Sequence, residues 1–225
     1  VKLDESIWGE IKKSGRSGFL GESVRKLKKE KTNILPNFTK RSRAYLEIQN
    51  GCNHSCTFCI IPQGRGLSKS VPMDTILEKI RNLVNKGFKE IVLTGVDITC
   101  WGSDIAGNDK LGDLVNNILN ETPDLPRLRL SSLDVSEMDD NLLHVFKTNK
   151  RMMPHLHLSL QSGNNLILKR MKRRHSREQA IDLCRNLKAA RPEVTFGADL
   201  IAGFPTESDT MFLDTIKLVD ECDIS

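Results

Sequence analysis

No run in this chain is long and apolar enough to span a bilayer, and no export signal is visible. Internal repeats and low-complexity tracts are absent too, so the chain is not read as a repeat array. Nothing suggests a disulfide framework, and three of the six cysteines are scattered (Cys100, Cys184, Cys222). The expectation is a cytoplasmic protein, kept reduced, whose remaining cysteines bind metal.

What is present is ordinary for a globular protein: 225 residues, 38% hydrophobic and 28% charged. That length suits one large domain or two small ones. The formal net charge of +5 admits a nucleic-acid partner, although a solvated lysine-rich surface accounts for it equally well. The chain begins at Val1 and is read as a fragment. Residues 1–40 are polar and basic, with Gly9, Gly15, Gly18 and Gly21 and the run Arg25, Lys26, Lys28, Lys29, Lys31. Two short helices are expected there, over 5–13 and 20–31, followed by a linker from Pro36.

From residue 44 the pattern is regular. Strands are expected over 44–49, 90–94, 127–131, 155–161 and 194–201. Helices are expected over 72–86, 110–121, 138–148, 176–190 and 208–221. Such alternation predicts an α/β fold with a parallel sheet, as barrel or open sheet. Several strands alternate polar with apolar residues. His155, His157, Ser159 and Gln161 oppose Leu156, Leu158 and Leu160. Arg127, Arg129 and Ser131 oppose Leu128 and Leu130, and Tyr45, Glu47 and Gln49 oppose Leu46 and Ile48. Thr195, Gly197 and Asp199 share a face of the last strand. Period two lets one face pack on helices while the other lines a wet or ligand-filled lumen. An edge strand with one solvated face would read the same way.

Directly after the first strand comes Gly51-Cys52-Asn53-His54-Ser55-Cys56-Thr57-Phe58-Cys59. Parallel α/β proteins place ligands on such loops. Three thiolates at this spacing can hold three irons of a 4Fe–4S cube, leaving one iron open, whereas ferredoxin-type sites use four cysteines. A structural zinc site wants four ligands. His54 is a strained fourth donor, since it sits inside the first cysteine interval. A thioredoxin-type Cys56-Thr57-Phe58-Cys59 pair leaves Cys52 unexplained. His155 and His157 suggest a metal pair or hydrogen-bonded pocket lining. The run Lys169, Arg170, Lys172, Arg173, Arg174, His175 is the densest basic stretch, read as a docking patch for a polyanion or as a solvated helix end.

The cysteine loop resembles that of the radical S-adenosylmethionine (SAM) superfamily, and residues 44–225 resemble its methylthiotransferase branch. The segments NGCNHSCTFCIIPQGRG, IVLTGVDITCWG, LRLSSLD, HLHLSLQSG, LKRMKRR and DLIAGFPTES carry the likeness in order. LTGVDIT and HLHLSLQSG are most similar to the tRNA threonylcarbamoyladenosine enzymes. The resemblance implies a partial (β/α) barrel truncated after about five βα units, occupying 41–225, with 1–40 as connector from a missing N-terminal domain. It implies methylthiolation at C2 of N6-threonylcarbamoyladenosine at tRNA position 37. The same chemistry on isopentenyladenosine or on ribosomal protein S12 is the alternative, and a zinc-containing nucleic-acid-binding module a more distant one.

The implied cofactors are a 4Fe–4S cluster on Cys52, Cys56 and Cys59, with SAM on the open iron as the source of a 5′-deoxyadenosyl radical. A second cluster, carried by the full-length protein, is implied outside this chain. Phe58 is implied near the SAM adenine, with Ile201 and Gly203 beside it. Thr94 and Gly95 fall to the methionine end of SAM, and Ser159 and Gln161 to its polar contacts. Arg173 falls to the carboxylate or ribose, with Arg174 as rival. Asp97, Arg65 and Arg174 are candidates for the substrate. The implied partners are a tRNA anticodon stem-loop and an electron donor such as a flavodoxin or ferredoxin.

Overall fold

A computed structural model describes residues 42–225. The helices expected over 5–13 and 20–31 and the connector over 1–40 lie outside the described residues. In order, the elements are β1 (Arg43–Asn50), α1 (Ile61–Arg65), β2 (Lys69–Ser70), α2 (Met73–Asn85), β3 (Glu90–Gly95), α3 (Leu111–Glu121) and β4 (Arg127–Leu130). Then come β5 (Ser132–Leu133), α4 (Asp140–Thr148), β6 (His155–Gln161), α5 (Asn165–Arg170), α6 (Arg177–Ala190), β7 (Thr195–Leu200) and α7 (Asp209–Glu221).

Alternation in sequence becomes alternation in burial. Leu156, Leu158 and Leu160 of β6 are buried, while His155, His157, Ser159 and Gln161 keep partial access to solvent. The buried leucines belong to one apolar core with helix faces built at helical spacing, such as Ile76, Leu77, Ile80 and Leu83 of α2. Side-chain caps fix where the later helices start. Asp139, Ser176 and Ser208 accept N–H bonds at the starts of α4, α6 and α7. Asp139 also accepts from Gly112 N–H at 3.0 Å, which ties α4 to α3.

Strands β2-β1-β3-β4 form one sheet and β5-β6-β7 another; only the β1–β2 pair is antiparallel. Ser131 alone separates β4 from β5, and its N–H donates to the Leu93 carbonyl at 3.0 Å. The chain thus passes from one sheet to the other without a break. The result is a curled array with parallel positions β1, β3, β4–β5, β6 and β7, the partial barrel expected from the sequence. At the end where the strands start, Glu90 is buried and bonds Arg43 (2.9 Å), Arg129 (2.8 Å) and Arg127 (3.3 Å). This ion cluster fills the base of the lumen, the end associated with stability in such folds.

Two expectations need correction. Gln49 does not line the lumen beside Tyr45 and Glu47: it is fully buried. The β1–β3 register shifts between Glu47 and Gln49, which re-aims the side chain. The basic run 169–175 is also not one continuous patch. Met171 and His175 are buried, Lys172 takes φ 58°, and Arg173 and Arg174 turn to the Asp134 carboxylate.

Candidate functional site

The cysteine loop leaves β1 through Gly51, whose φ is 75°. A Cβ there would lie 2.1 Å from the Leu67 carbonyl oxygen, so only glycine fits. The loop is closed on itself. Cys52 N–H donates to Gly66 O at 3.1 Å, and Ser68 N–H to Asn53 Oδ1 at 2.9 Å. Gln49 is the hub beneath it. Its Nε2 donates to Gly51 O (2.8 Å) and Ser68 Oγ (2.9 Å). Its Oε1 accepts from Val96 N–H (3.0 Å) and Asp97 N–H (2.8 Å). One side chain thus joins the loop after β1 to the loop after β3. Across the barrel, Thr57 N–H donates to Met171 O at 3.2 Å.

The loop faces a cavity of about 210 Å³ at the ends of the strands. Its lining unites Cys52, Cys56, Cys59, Phe58, Asp97, Ser159, Gln161 and Arg173, eight of the residues singled out in the sequence. Gln161 takes φ 67°, a conformation costly for a residue with a Cβ, where the β6–β7 register shifts. Strain of this kind clusters at ligand sites. Phe58 lines the cavity while remaining 42% exposed.

Other expected residues stand apart from this lining. Thr94 and Gly95 end β3 behind it, with Gly95 packed so closely that a Cβ would meet Gln49 O at 2.7 Å. Ile201 N–H donates to Gln161 O at 2.8 Å, holding the strained residue from behind. Gly203 has φ 74° and donates its N–H to Glu207 at 2.7 Å. Arg65 closes α1. Arg174 bonds Asp134 at 3.0 Å and also pairs with Glu137.

Arg173 is held on several sides. Its Nη2 bonds Asp134 at 2.9 Å and Ser159 O at 2.8 Å, and its Nη1 lies 3.9 Å from Cys56 Sγ. Burial pushes the Asp134 carboxyl up, but Arg173, Ser136 and Arg174 outweigh it and hold the group below the usual carboxylate range. Burial also pushes the Cys52 thiol up to about 11, against a backbone N–H from His54, with Asp97 adding to the rise. Any metal must therefore displace a proton at Cys52. Asp134, Gln49, His54 and Glu137 were not predicted as site residues. Asp134 and His54 lay within recognised segments and Gln49 on a polar strand face, but no pattern in the sequence marked Glu137.

His155 and His157 are half-buried on β6 outside the lining of the cysteine-loop cavity, with His157 Nε2 3.2 Å from Asp199. Beside the first cavity lies a larger one of about 680 Å³, walled by the turn after β3, residues 107–110 and the turn after β5.

Curled parallel sheet, cysteine loop at a strand's C-terminal end and strained ligand wall together define a barrel-type metalloenzyme core. The family model of the Radical SAM superfamily matches residues 46–219, and the chain belongs to that superfamily. It is 49% identical over 201 residues to the threonylcarbamoyladenosine tRNA methylthiotransferase MtaB of Rickettsia prowazekii (strain Madrid E), covering 89% of this chain and 48% of that protein. It is 36% identical over 222 residues to the tRNA-2-methylthio-N(6)-dimethylallyladenosine synthase of Shouchella clausii (strain KSM-K16), covering 97% and 40%. The chain thus spans less than half the length of these curated relatives. Among solved structures, it matches the radical S-adenosylmethionine methyltransferase TsrM of Kitasatospora setae with a TM-score of 0.65 at 16% identity, over 80% of this chain and 34% of that one.

The family implies a 4Fe–4S cluster and SAM, and the residues present fit both. Three thiols converge on one cavity beside a guanidinium and polar strand-end groups. Ligand atoms around a single zinc must lie within about 4 Å of each other. Among the described residues, the three cysteines do not form a group gathered that tightly.

Proposed function

We propose that this chain is the radical-generating core of a tRNA methylthiotransferase acting on N6-threonylcarbamoyladenosine. The observation that carries the reading is the single cavity gathering Cys52, Cys56 and Cys59 with Phe58, Ser159, Gln161 and Arg173. Cys52, Cys56 and Cys59 hold the cluster, which supplies the electron for reductive SAM cleavage when bound. Ser159 and Gln161 contact SAM from the opposite wall. Arg173 stands between the cluster loop and that wall, where its fixed guanidinium orients the carboxylate end. Thr94, Gly95, Ile201 and Gly203 act by shaping the strand ends behind the cavity. Arg65 serves the substrate side, whereas Arg174 is paired with Asp134 and Glu137 and Asp97 is bonded to His54 and Thr99. The partners are a tRNA anticodon stem-loop and a flavodoxin- or ferredoxin-type electron donor.

Higher identity to a threonylcarbamoyladenosine enzyme than to a dimethylallyladenosine enzyme supports the choice of base. Two experiments test the reading. Anaerobic reconstitution with iron and sulfide should give absorbance near about 400 nm and 5′-deoxyadenosine from SAM. Both should be lost in Cys52→Ala, Cys56→Ala or Cys59→Ala and kept in Cys184→Ala. Stoichiometric zinc with no cluster absorbance refutes the enzyme. Nucleoside mass spectrometry of tRNA from a deletion strain then tests the substrate, and unchanged methylthio-threonylcarbamoyladenosine refutes the choice of base.

A further inference from the structure

His54, inside the cysteine loop, reaches side chains that follow β3 and β5. Its Nε2 lies 2.9 Å from Asp97 Oδ2, 3.3 Å from Glu137 Oε1 and 3.4 Å from Cys100 Sγ. Cys100 Sγ lies 3.1 Å from the same Glu137 oxygen. Among the described residues, these form the group of His, Cys, Asp and Glu whose ligand atoms all lie within 4.8 Å of one another. We propose that His54, Asp97, Cys100 and Glu137 form a second metal site, using none of the three clustered cysteines, for one divalent transition-metal ion of the zinc type.

The geometry suits a tetrahedron. Donors at zinc-ligand distances of about 2.0–2.3 Å stand roughly 3.3–3.7 Å apart. Four of the six donor separations run from 2.9 to 3.4 Å, a small expansion away, and the other two lie within 4.8 Å. One nitrogen, one sulfur and two oxygens are a donor set that zinc accepts. The charge also balances. With Cys100 as thiolate the donors carry three negative charges, and a divalent ion plus the Arg174 guanidinium, paired with Glu137, cancels them. No uncompensated charge is then left in a site whose His54, Asp97 and Glu137 side chains are 23%, 10% and 19% exposed.

Outer contacts hold the donors in place, as metal sites require. Thr99 Oγ1 donates to Asp97 Oδ1 (3.0 Å) and contacts Glu137 Oε2 (3.2 Å). Gln49 fixes the Asp97 backbone from below. Entry is open, because Cys100 and Glu137 wall the 680 Å³ cavity. The donors come from the loops after β1, β3 and β5, so the ion clamps three loops at the mouth of the barrel. Asp97 Oδ2 lies 3.5 Å from Cys52 Sγ, which makes the clamp a direct neighbour of the cluster loop.

The test uses the full 225-residue chain. Co2+ is titrated into the Cys52→Ala/Cys56→Ala/Cys59→Ala variant, so that cluster thiols contribute nothing. The expected result is one equivalent bound, with tetrahedral d–d bands and a thiolate-to-cobalt charge-transfer band. Adding Cys100→Ala removes the charge-transfer band, and adding His54→Ala weakens binding at least about tenfold. Should the triple variant fail to fold, elemental analysis of the zinc-loaded, cluster-reconstituted wild type decides. One zinc per chain is expected there, lost in Cys100→Ala with iron content unchanged. The proposal is overturned if the metal fails to bind, or if its spectrum or content does not depend on Cys100. The tetrad would then be a hydrogen-bond network only. The outcome is independent of the tRNA reading, because neither measurement requires substrate.

Discussion

Replacing Gln49 with leucine keeps the volume nearly constant but removes a donor and an acceptor at a fully buried position. Four partners lose a bond: Gly51 O, Ser68 Oγ, Val96 N–H and Asp97 N–H. The first two bonds are buried, and an unsatisfied buried group costs about 1–3 kcal/mol. The two amides are half-buried and recover water, at about 0.5–1.5 kcal/mol each. Leucine's better transfer into the core returns about 1–2 kcal/mol. At the middle of these ranges the net expectation is a loss of about 4–5 kcal/mol. With a urea m-value of about 2 kcal/mol/M, the midpoint falls by about 2–2.5 M. Gln49→Glu should fall between the two, since a carboxylate accepts from both amides but cannot donate to Gly51 O. Iron incorporated on reconstitution should fall in the same order, because the same side chain closes the cysteine loop. A leucine variant within about 1 kcal/mol of wild type, with full iron content, refutes the view of Gln49 as the hub.

Other substitutions probe other parts of the frame. Gly51→Ala forces a Cβ against Leu67 O and should reduce cluster loading measured by iron content, whereas Gly64→Ala, with nothing within 4 Å, should not. Equal loading of the two would sink the steric argument. At Glu90, burial pushes the carboxyl up, but Arg129 and Arg43 outweigh it and hold it below the usual range. Its contribution is therefore complete above the unfolded value near about 4.3 and is lost as pH falls through the lower folded value. Glu90→Gln should cost about 1–3 kcal/mol at neutral pH, discounted because Arg43 and Arg127 are partly exposed. Urea unfolding across a pH series should show that difference shrinking below about pH 4; a difference independent of pH contradicts the assignment. Arg173→Lys keeps a charge but loses the fork that reaches both Asp134 and Ser159 O. The expected result is a raised KM for SAM in the cleavage assay, and an unchanged KM argues against contact with the cofactor. Phe146→Ala empties a core position that is 1% exposed and removes the ring under Arg191, at about 3–5 kcal/mol by denaturant unfolding.

Much of the scaffold is local in origin, and for that reason it was legible in the sequence. The ten strands and helices expected from residue 44 onward all form, with ends displaced by at most two residues. Their signals are apolar periodicities of two and of about 3.6, which act within each segment. The cysteine loop was equally legible, because its three cysteines lie within eight consecutive residues, Cys52 to Cys59. The short elements α1, β2, β5 and α5 escaped, being too brief to repeat a period.

Only the tertiary structure decided how the site is held. Gln49 reads as a lumen residue by parity, yet a register shift against β3 buries it as the hub between two loops. Arg173 and Arg174 read as part of a basic patch. The left-handed Lys172 and the buried Met171 turn both inward, onto Asp134, which follows β5 about forty residues earlier in the chain. His54, Asp97, Cys100 and Glu137 come from three loops and carry no common spacing. The physical reason is the same in each case. Periodicity encodes which face of an element is apolar, but pairing between distant side chains depends on where the curled sheet brings the strand ends together.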